Sequence, residues 1–138
     1  MNNYTMAELS VGMTETFQTT LTQAMMDGFR ALSSDTNPLH CNAEYAAQKG
    51  YPSPVVYGML VASLLSTLAG VYLPGENSLL QSVNVKFHAP SFVRDTLTVS
   101  GTIAEKYDEL NMIVVKAVVR NQRSEKVASA KVQVGVRS

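Results

Sequence analysis

The sequence predicts an α+β fold in which a long antiparallel β-sheet wraps a buried central helix. Residues 58–73 form an uncharged, apolar run of helical length, and the stretch from residue 80 to residue 137 alternates apolar and polar side chains with a period of two. Packing such a helix against such a sheet buries both apolar surfaces in one layered arrangement. The chain has 138 residues without an internal repeat or a linker, so residues 1–138 are expected to form one domain.

Composition excludes several kinds of partner. Eleven basic and eleven acidic residues give a net charge of zero without a basic stripe, so neither nucleic acid nor a membrane surface is an expected partner. Residues 1–5 carry no positive charge and no apolar run, so they do not predict a signal peptide. Cys41 is the only cysteine, which excludes an internal disulfide and is typical of the reducing cytoplasm. With His40 and His88 as the only other soft ligands, a zinc site has too few residues, and neither a metal nor a cofactor is expected.

The first third of the chain predicts a strand followed by a helix. The strand is expected around residues 14–20 and the helix over residues 22–32, with a threonine at its first position as the N-cap. Met25, Phe29 and Leu32 recur at i, i+4 and i+7, which predicts the apolar face of this helix. A short second helix is expected after the N-cap Asn42.

The central helix is predicted from about Gly58 to Leu73. It is apolar on every side, which predicts burial all round. It is shorter than the ~20 residues that a bilayer span needs. It also ends at Pro74-Gly75, so it is interpreted as a core helix.

The second half predicts four strands of an antiparallel sheet, joined in part by hairpin turns at residues 108–109 and 122–124. The strands are expected over residues 80–89, 96–107, 110–121 and 125–137.

One turn carries most of the chemically capable groups. Asp35 and His40 stand five residues apart with Asn37-Pro38 between them, and Asn-Pro is a strong break signal. Such a turn can bring the acid and the imidazole toward one water molecule. The alternative is that Asp35 caps the next turn and that His40 is a semi-buried structural side chain.

Three segments together resemble the MaoC-like family of R-specific enoyl-CoA hydratases, which have the hot-dog fold. They are Phe29-Arg30-Ala31-Leu32-Ser33-Ser34-Asp35-Thr36-Asn37-Pro38-Leu39-His40, then Glu44-Tyr45-Ala46-Ala47, then Val55-Val56-Tyr57-Gly58-Met59-Leu60. The resemblance continues through Leu73-Pro74-Gly75, the strand Val83–Pro90 and Asp95-Thr96-Leu97. The ordered Asp-x-Asn-Pro-x-His turn followed by Gly-Met-Leu is the specific part of this signature.

The resemblance implies a reversible syn addition of water to a trans-2-enoyl thioester, giving a 3R-hydroxyacyl product. Asp35 and His40 match the catalytic pair that binds the water. Gly58 matches the position whose backbone N–H points at the thioester oxygen, and Ser66 matches a serine near the water. Asn37 and Tyr57 complete the expected substrate-binding set.

Three residues depart from the family pattern. Asn42 replaces a frequent aspartate, and both residue types cap helices well. Tyr57 stands where histidine is usual before Gly-Met-Leu, which bears on the hydrogen bonding at the start of the helix and on the acyl preference. Arg94 stands where glycine commonly precedes Asp-Thr. It is interpreted as a solvated turn residue, with a CoA phosphate contact as the alternative.

Other hot-dog classes remain as alternatives. Thioesterases and carrier-protein dehydratases of this fold typically place a carboxylate on the long helix, and no acid occurs between Glu44 and Glu76. A non-catalytic hot-dog module that binds acyl thioesters is a further alternative, and the carrier stays open between CoA and a carrier protein. The resemblance, together with an unpaired sheet edge expected at the alternating Lys126–Arg137 run, predicts a homodimer or a dimer of dimers, with acyl-CoA as the other partner.

Overall fold

A computed structural model describes residues 1–137, which form one five-stranded antiparallel sheet and three α-helices. The elements are β1 (Thr14–Thr20), α1 (Gln23–Ser33), α2 (Ala43–Gln48), α3 (Gly58–Thr67), β2 (Ser78–Phe87), β3 (Thr96–Tyr107), β4 (Met112–Arg120) and β5 (Lys126–Val136). The sheet has the strand order β1-β3-β4-β5-β2. The predicted α+β class is confirmed, and the observed strand ends lie within two residues of the predicted ones.

The sheet curves around α3, which continues through a π-helical turn over Leu68–Tyr72. Leu65 and Leu68 are buried in the core that α3 and its continuation share with the sheet. Gly101 in β3 makes this close approach possible. A Cβ atom at Gly101 would lie 2.6 Å from Cδ2 of Leu68, so a side chain there would force the Leu68 side chain to shift.

The prediction that the central helix is buried on every side is wrong for the single chain. Met59 is 62% exposed, and Ser63 and Ser66 are exposed as well. These residues follow i, i+4 and i+7, so they form one face of α3. The sheet of one chain covers the opposite face, where Val61 and Leu65 are buried.

The predicted apolar face of α1 is also corrected. Thr22 is its N-cap as expected, because its Oγ1 accepts a hydrogen bond from the Met25 N–H at 3.2 Å. The buried residue, however, is Met26, whereas Leu32 is 83% exposed. Phe29 packs against the core at its edge. Met25 is 37% exposed as well, so the packed face of α1 runs through Met26 and Phe29 and not through Met25 and Leu32.

The prediction that the Lys126–Arg137 run leaves an unpaired edge is wrong, because β5 pairs with β4 on one side and with β2 on the other. β2 is an edge strand that pairs only with β5. Its register places Val83 opposite the buried Val132 and Phe87 opposite Ala128, so both point to the helix side of the sheet. They are nevertheless 43% and 49% exposed. One side of the sheet therefore ends in an open edge with uncovered apolar side chains. Nowhere in residues 1–137 is there a helix of sufficient length and hydropathy to span a membrane.

Candidate active site

The Asp35–His40 turn is folded by two successive side-chain-to-backbone hydrogen bonds. The Asp35 carboxylate accepts from the Asn37 N–H at 3.1 Å. The Asn37 side chain accepts in turn from the Leu39 N–H at 3.0 Å and caps a single 3₁₀ turn over Pro38–His40. Asp and Asn are suited to this role because their short side chains reach the backbone two residues on. The turn thus holds Asp35 at one end and His40 at the other.

The imidazole of His40 has a defined orientation. Its Nδ1 lies 2.6 Å from the carbonyl oxygen of Val55. Because a carbonyl oxygen only accepts, Nδ1 carries the proton of this hydrogen bond. In the neutral ring, Nε2 is then left with a lone pair that can accept a proton. His40 is therefore arranged as a base with a fixed tautomer.

Tyr57 connects the two ends of the turn. Its hydroxyl donates to the main-chain oxygen of Asp35 at 2.7 Å, and its ring stacks on His40 with 4.1 Å between ring centroids. The tyrosine is only 2% exposed and also packs against Phe29. Burial raises the pKa of Tyr57, and the nearby negative charge of Asp35 raises this pKa further. Tyr57 is thus held neutral beneath the turn.

His40 and Gly58 line the same cavity, which has a volume of about 320 Å³. His40 comes from the turn and Gly58 from the start of α3, while the segment from Phe87 to Ser91 closes a further side. Asp35 lies exposed on the turn and is not part of the cavity wall in the single chain. The imidazole and the first turn of α3 therefore border the same space.

The start of α3 is suited to receive a partial negative charge. Tyr57 is the N-cap and makes no side-chain hydrogen bond to the first turn. The first N–H groups of a helix have no acceptor within the helix and carry its positive dipole end. A Cβ atom at Gly58 would lie 3.5 Å from the Phe87 ring, so glycine keeps open the gap between the helix start and Phe87.

Three other predicted residues lie away from this cavity. Asn37 faces a separate hollow beside Tyr45 and Lys49. Ser66 is eight residues beyond Gly58, which is about 12 Å along a helix, and it belongs to the exposed face of α3. Arg94 is an exposed turn residue with a positive φ of 83°, as the solvated-turn interpretation expects.

The residues that sequence reasoning missed come from the segment after β2. His88 and Ser91 line the cavity, as does Tyr51 from the connector before α3. His88 Nε2 lies 2.7 Å from the hydroxyl of Ser129. Two signals in the sequence pointed to this segment. It follows directly after a strand, and the family resemblance extends to Pro90.

A central helix wrapped by one antiparallel sheet, with an acid–imidazole turn in front of the helix, defines a hot-dog domain of the dehydratase type. The family model described as "MaoC like domain" matches residues 8–127, and the chain belongs to this family.

Curated relatives carry related names. The chain is 32% identical over 103 residues to an (R)-specific enoyl-CoA hydratase of Rhodospirillum rubrum, covering 72% of each chain. It is 44% identical over 75 residues to an (R)-specific enoyl-CoA hydratase of Aeromonas caviae, a match that spans 54% of this chain and 56% of that relative. A 3-hydroxybutyryl-CoA dehydratase of Methylorubrum extorquens is 29% identical over 102 residues, which are 74% of this chain and 65% of that protein.

Solved structures agree with the architecture. The unliganded R-hydratase of Pseudomonas aeruginosa superimposes with a TM-score of 0.93 at 27% identity, covering 99% of this chain and 87% of that one. The (R)-hydratase of A. caviae involved in PHA biosynthesis gives a TM-score of 0.88 at 30% identity, with 93% and 97% of the two chains covered.

Proposed function

We propose that this protein is a hydro-lyase that reversibly hydrates trans-2-enoyl-CoA to (3R)-hydroxyacyl-CoA. The observation that carries the proposal is the shared cavity of His40 and Gly58, in which an imidazole with a free Nε2 faces the space next to a helix N-terminus. The names of the relatives support the same reaction class. We assign the reaction to residues 1–138 acting as one domain.

In the proposed mechanism, Asp35 and His40 act as a unit on one water molecule. The water oxygen bonds to C3 of the substrate while the π electrons of the C2–C3 double bond move toward the thioester oxygen. A proton of the water is taken up by the pair and delivered to C2, where the returning electron pair forms the C–H bond.

The thioester oxygen is assigned to the Gly58 N–H. Negative charge develops on this oxygen as water adds, and preorganised donors in a site shielded from water stabilise such charge strongly. The first turn of α3 supplies both an N–H group and the positive end of the helix dipole. The acyl chain would occupy the apolar part of the cavity beside Val61 and Phe87.

Asn37 and Tyr57 are assigned supporting roles in the site. Asn37 shapes the turn through its hydrogen bond to Leu39, and Tyr57 holds both ends of the turn from below. Ser66 lies on the exposed face of α3 with Met59 and Ser63. We propose that this face and the β2 edge meet a second copy of the chain, giving a homodimer or a dimer of dimers with the acyl channel near the seam.

A panel of trans-2-enoyl-CoA thioesters from C4 to C12 tests the function, with loss of the absorbance of the conjugated thioester as the readout. We expect hydration with a (3R)-hydroxyacyl product, resolved by chiral analysis. The same acyl groups on an acyl carrier protein form the second arm of the experiment. Absence of hydration on either carrier, together with measurable binding of the CoA thioesters, would favour the non-catalytic binding module instead.

A further inference from the structure

The wall of the cavity contains one buried hydroxyl without a partner. Ser91 is 2% exposed, and its Oγ is shielded from solvent without a hydrogen bond in the described part of the chain, residues 1–137. No other buried side-chain nitrogen or oxygen in that part lacks a hydrogen bond. Leaving a buried polar group unpaired costs about 1–3 kcal/mol, so such a group calls for an explanation.

The position of Ser91 relates it to the start of α3. Its main-chain oxygen accepts from the Val56 N–H at 2.8 Å, and Val56 precedes Gly58 by two residues. Ser91 lines the same cavity as His40 and Gly58. The backbone of Ser91 is therefore anchored beside the place where the thioester oxygen is assigned.

The other polar side chains in the cavity wall are less suited to hold that oxygen. Tyr51 is only partly buried. The Nδ1–H of His40 is engaged by the Val55 carbonyl. His88 is exposed, and its Nε2 pairs with the hydroxyl of Ser129. Ser91 combines burial with a free donor. A serine side chain has a single heavy-atom torsion with three staggered positions, so its hydroxyl can turn toward an atom in the cavity without movement of the backbone.

We infer that the Ser91 hydroxyl is a second donor to the thioester oxygen, beside the Gly58 N–H. An enolate-like oxygen can accept more than one hydrogen bond, and a single backbone N–H leaves the rest of its capacity unmet where bulk water is kept away. The unpaired hydroxyl would then gain its hydrogen-bond partner in the transition state, when negative charge develops on the thioester oxygen. This inference rests on the proposed hydration of an enoyl thioester.

The test compares Ser91→Ala with the wild type on the best enoyl-CoA of the C4–C12 panel. Removal of an oxyanion donor typically lowers kcat by about 100-fold or more, and we expect an effect of that order with little change in KM. Ser91→Thr keeps the hydroxyl and should retain most of the activity. Ser100→Ala is the matched control, because Ser100 accepts a hydrogen bond from Thr16 in the β1–β3 pair, away from the cavity.

Two further measurements separate this role from a structural one. Thermal unfolding of Ser91→Ala should occur at the same temperature or a higher one, since the substitution removes an unpaired polar group. Calorimetric titration with butyryl-CoA, which cannot be hydrated, should give a dissociation constant close to that of the wild type.

Full kcat in Ser91→Ala would overturn the inference and leave the proposed function standing. A raised KM and weaker butyryl-CoA binding at unchanged kcat would also overturn it, because the contact would then act on the ground state alone. A wild type that hydrates none of the enoyl thioesters would instead refute the proposed function on which the inference rests.

Discussion

The imidazole of His40 stacks on the phenol ring of Tyr57, with 4.1 Å between the ring centroids and 28° between the ring planes. The hydroxyl of the same tyrosine reaches the main chain of Asp35 at 2.7 Å. One buried side chain therefore sets the distance between the two ends of the acid–imidazole turn. Tyr57, one of the residues that depart from the family pattern, therefore contacts both ends of the turn in the candidate site.

Tyr57→Phe should weaken the contact between residue 57 and the turn without removing it. The variant keeps the ring contacts with His40 and Phe29 and loses the hydrogen bond to Asp35, so we expect a stability loss of about 1 kcal/mol and a lower kcat. Tyr57→Leu also loses the stack and should be the less active of the two. Denaturant unfolding and enoyl-CoA hydration give the two readouts. Equal activity of both variants would contradict the role of the stack.

The raised pKa of Tyr57 has a consequence at alkaline pH. Its folded pKa lies above the ordinary value of 10.0, because burial and then the charge of Asp35 disfavour the phenolate. The neutral form therefore contributes stability that is complete below the unfolded pKa and is lost as the pH rises through the folded pKa. Between about pH 9 and about pH 11, the wild type should lose more stability than Tyr57→Phe. Tyr4 and Tyr107, whose pKa values are also raised, are present in both proteins, so their effects on stability cancel in the comparison. Parallel curves for the two proteins would refute this assignment.

The proposed catalytic pair is tested by Asp35→Asn and His40→Gln. Each should lower hydration by roughly 10²–10⁴-fold, the range for a positioned acid or base. The double variant should be little worse than either single one, since groups that act as a unit are not additive. Circular dichroism confirms the fold of each variant. Undiminished activity in either single variant would remove that residue from the mechanism.

Gly58 offers a steric test of the oxyanion site. Gly58→Ala should fold normally, because the added Cβ would meet the Phe87 ring at an ordinary contact distance of 3.5 Å, yet it should lower activity by narrowing the gap. Gly58→Val should abolish hydration. The control is Gly28→Ala in α1, where nothing lies within 4 Å of the added Cβ. It should leave activity unchanged and add roughly 0.5–1 kcal/mol of stability. Normal turnover by Gly58→Val would place the thioester oxygen elsewhere.

The β2 edge is tested by Val83→Lys. We expect light scattering of the wild type at micromolar concentration to give a mass near twice the 15.0 kDa chain or a multiple of that dimer. A lysine at this apolar position should shift the distribution toward the single chain, because charge on an edge strand opposes pairing. Leu110→Lys changes an exposed apolar residue in the β3–β4 turn and serves as the control. A wild type that is monomeric and active would refute a site shared between subunits.

Local patterns predicted the elements well because their causes are local. The alternation of apolar and polar residues in the second half predicted strands β2 to β5, and a threonine before the helical pattern predicted the start of α1. Burial was harder to predict, since it depends on which neighbour covers a face. Leu32 and Met59 are both apolar and both exposed in the single chain. Their spacing within a helix does not distinguish them from a buried apolar residue such as Met26.

In the candidate site, too, the locally determined part was predicted and the part that depends on distant segments was not. Asn37-Pro38 predicted a turn that carries Asp35 and His40, because the turn is built from hydrogen bonds between residues two apart. The cavity wall formed by Phe87 and Ser91 was not predicted. It is brought to Gly58 by the pairing of β2 with β5 and by the hydrogen bond from the Val56 N–H to the Ser91 carbonyl oxygen, which join segments far apart in the sequence.

Phe87 belongs at once to the cavity wall and to the exposed edge strand β2. A second copy docking on that edge would therefore press directly on the wall of the site. Specific activity would then follow mass action: it would decline on dilution as copies separate, and return on concentration without any change in covalent structure. The catalytic rate per chain would in that case report on the state of assembly.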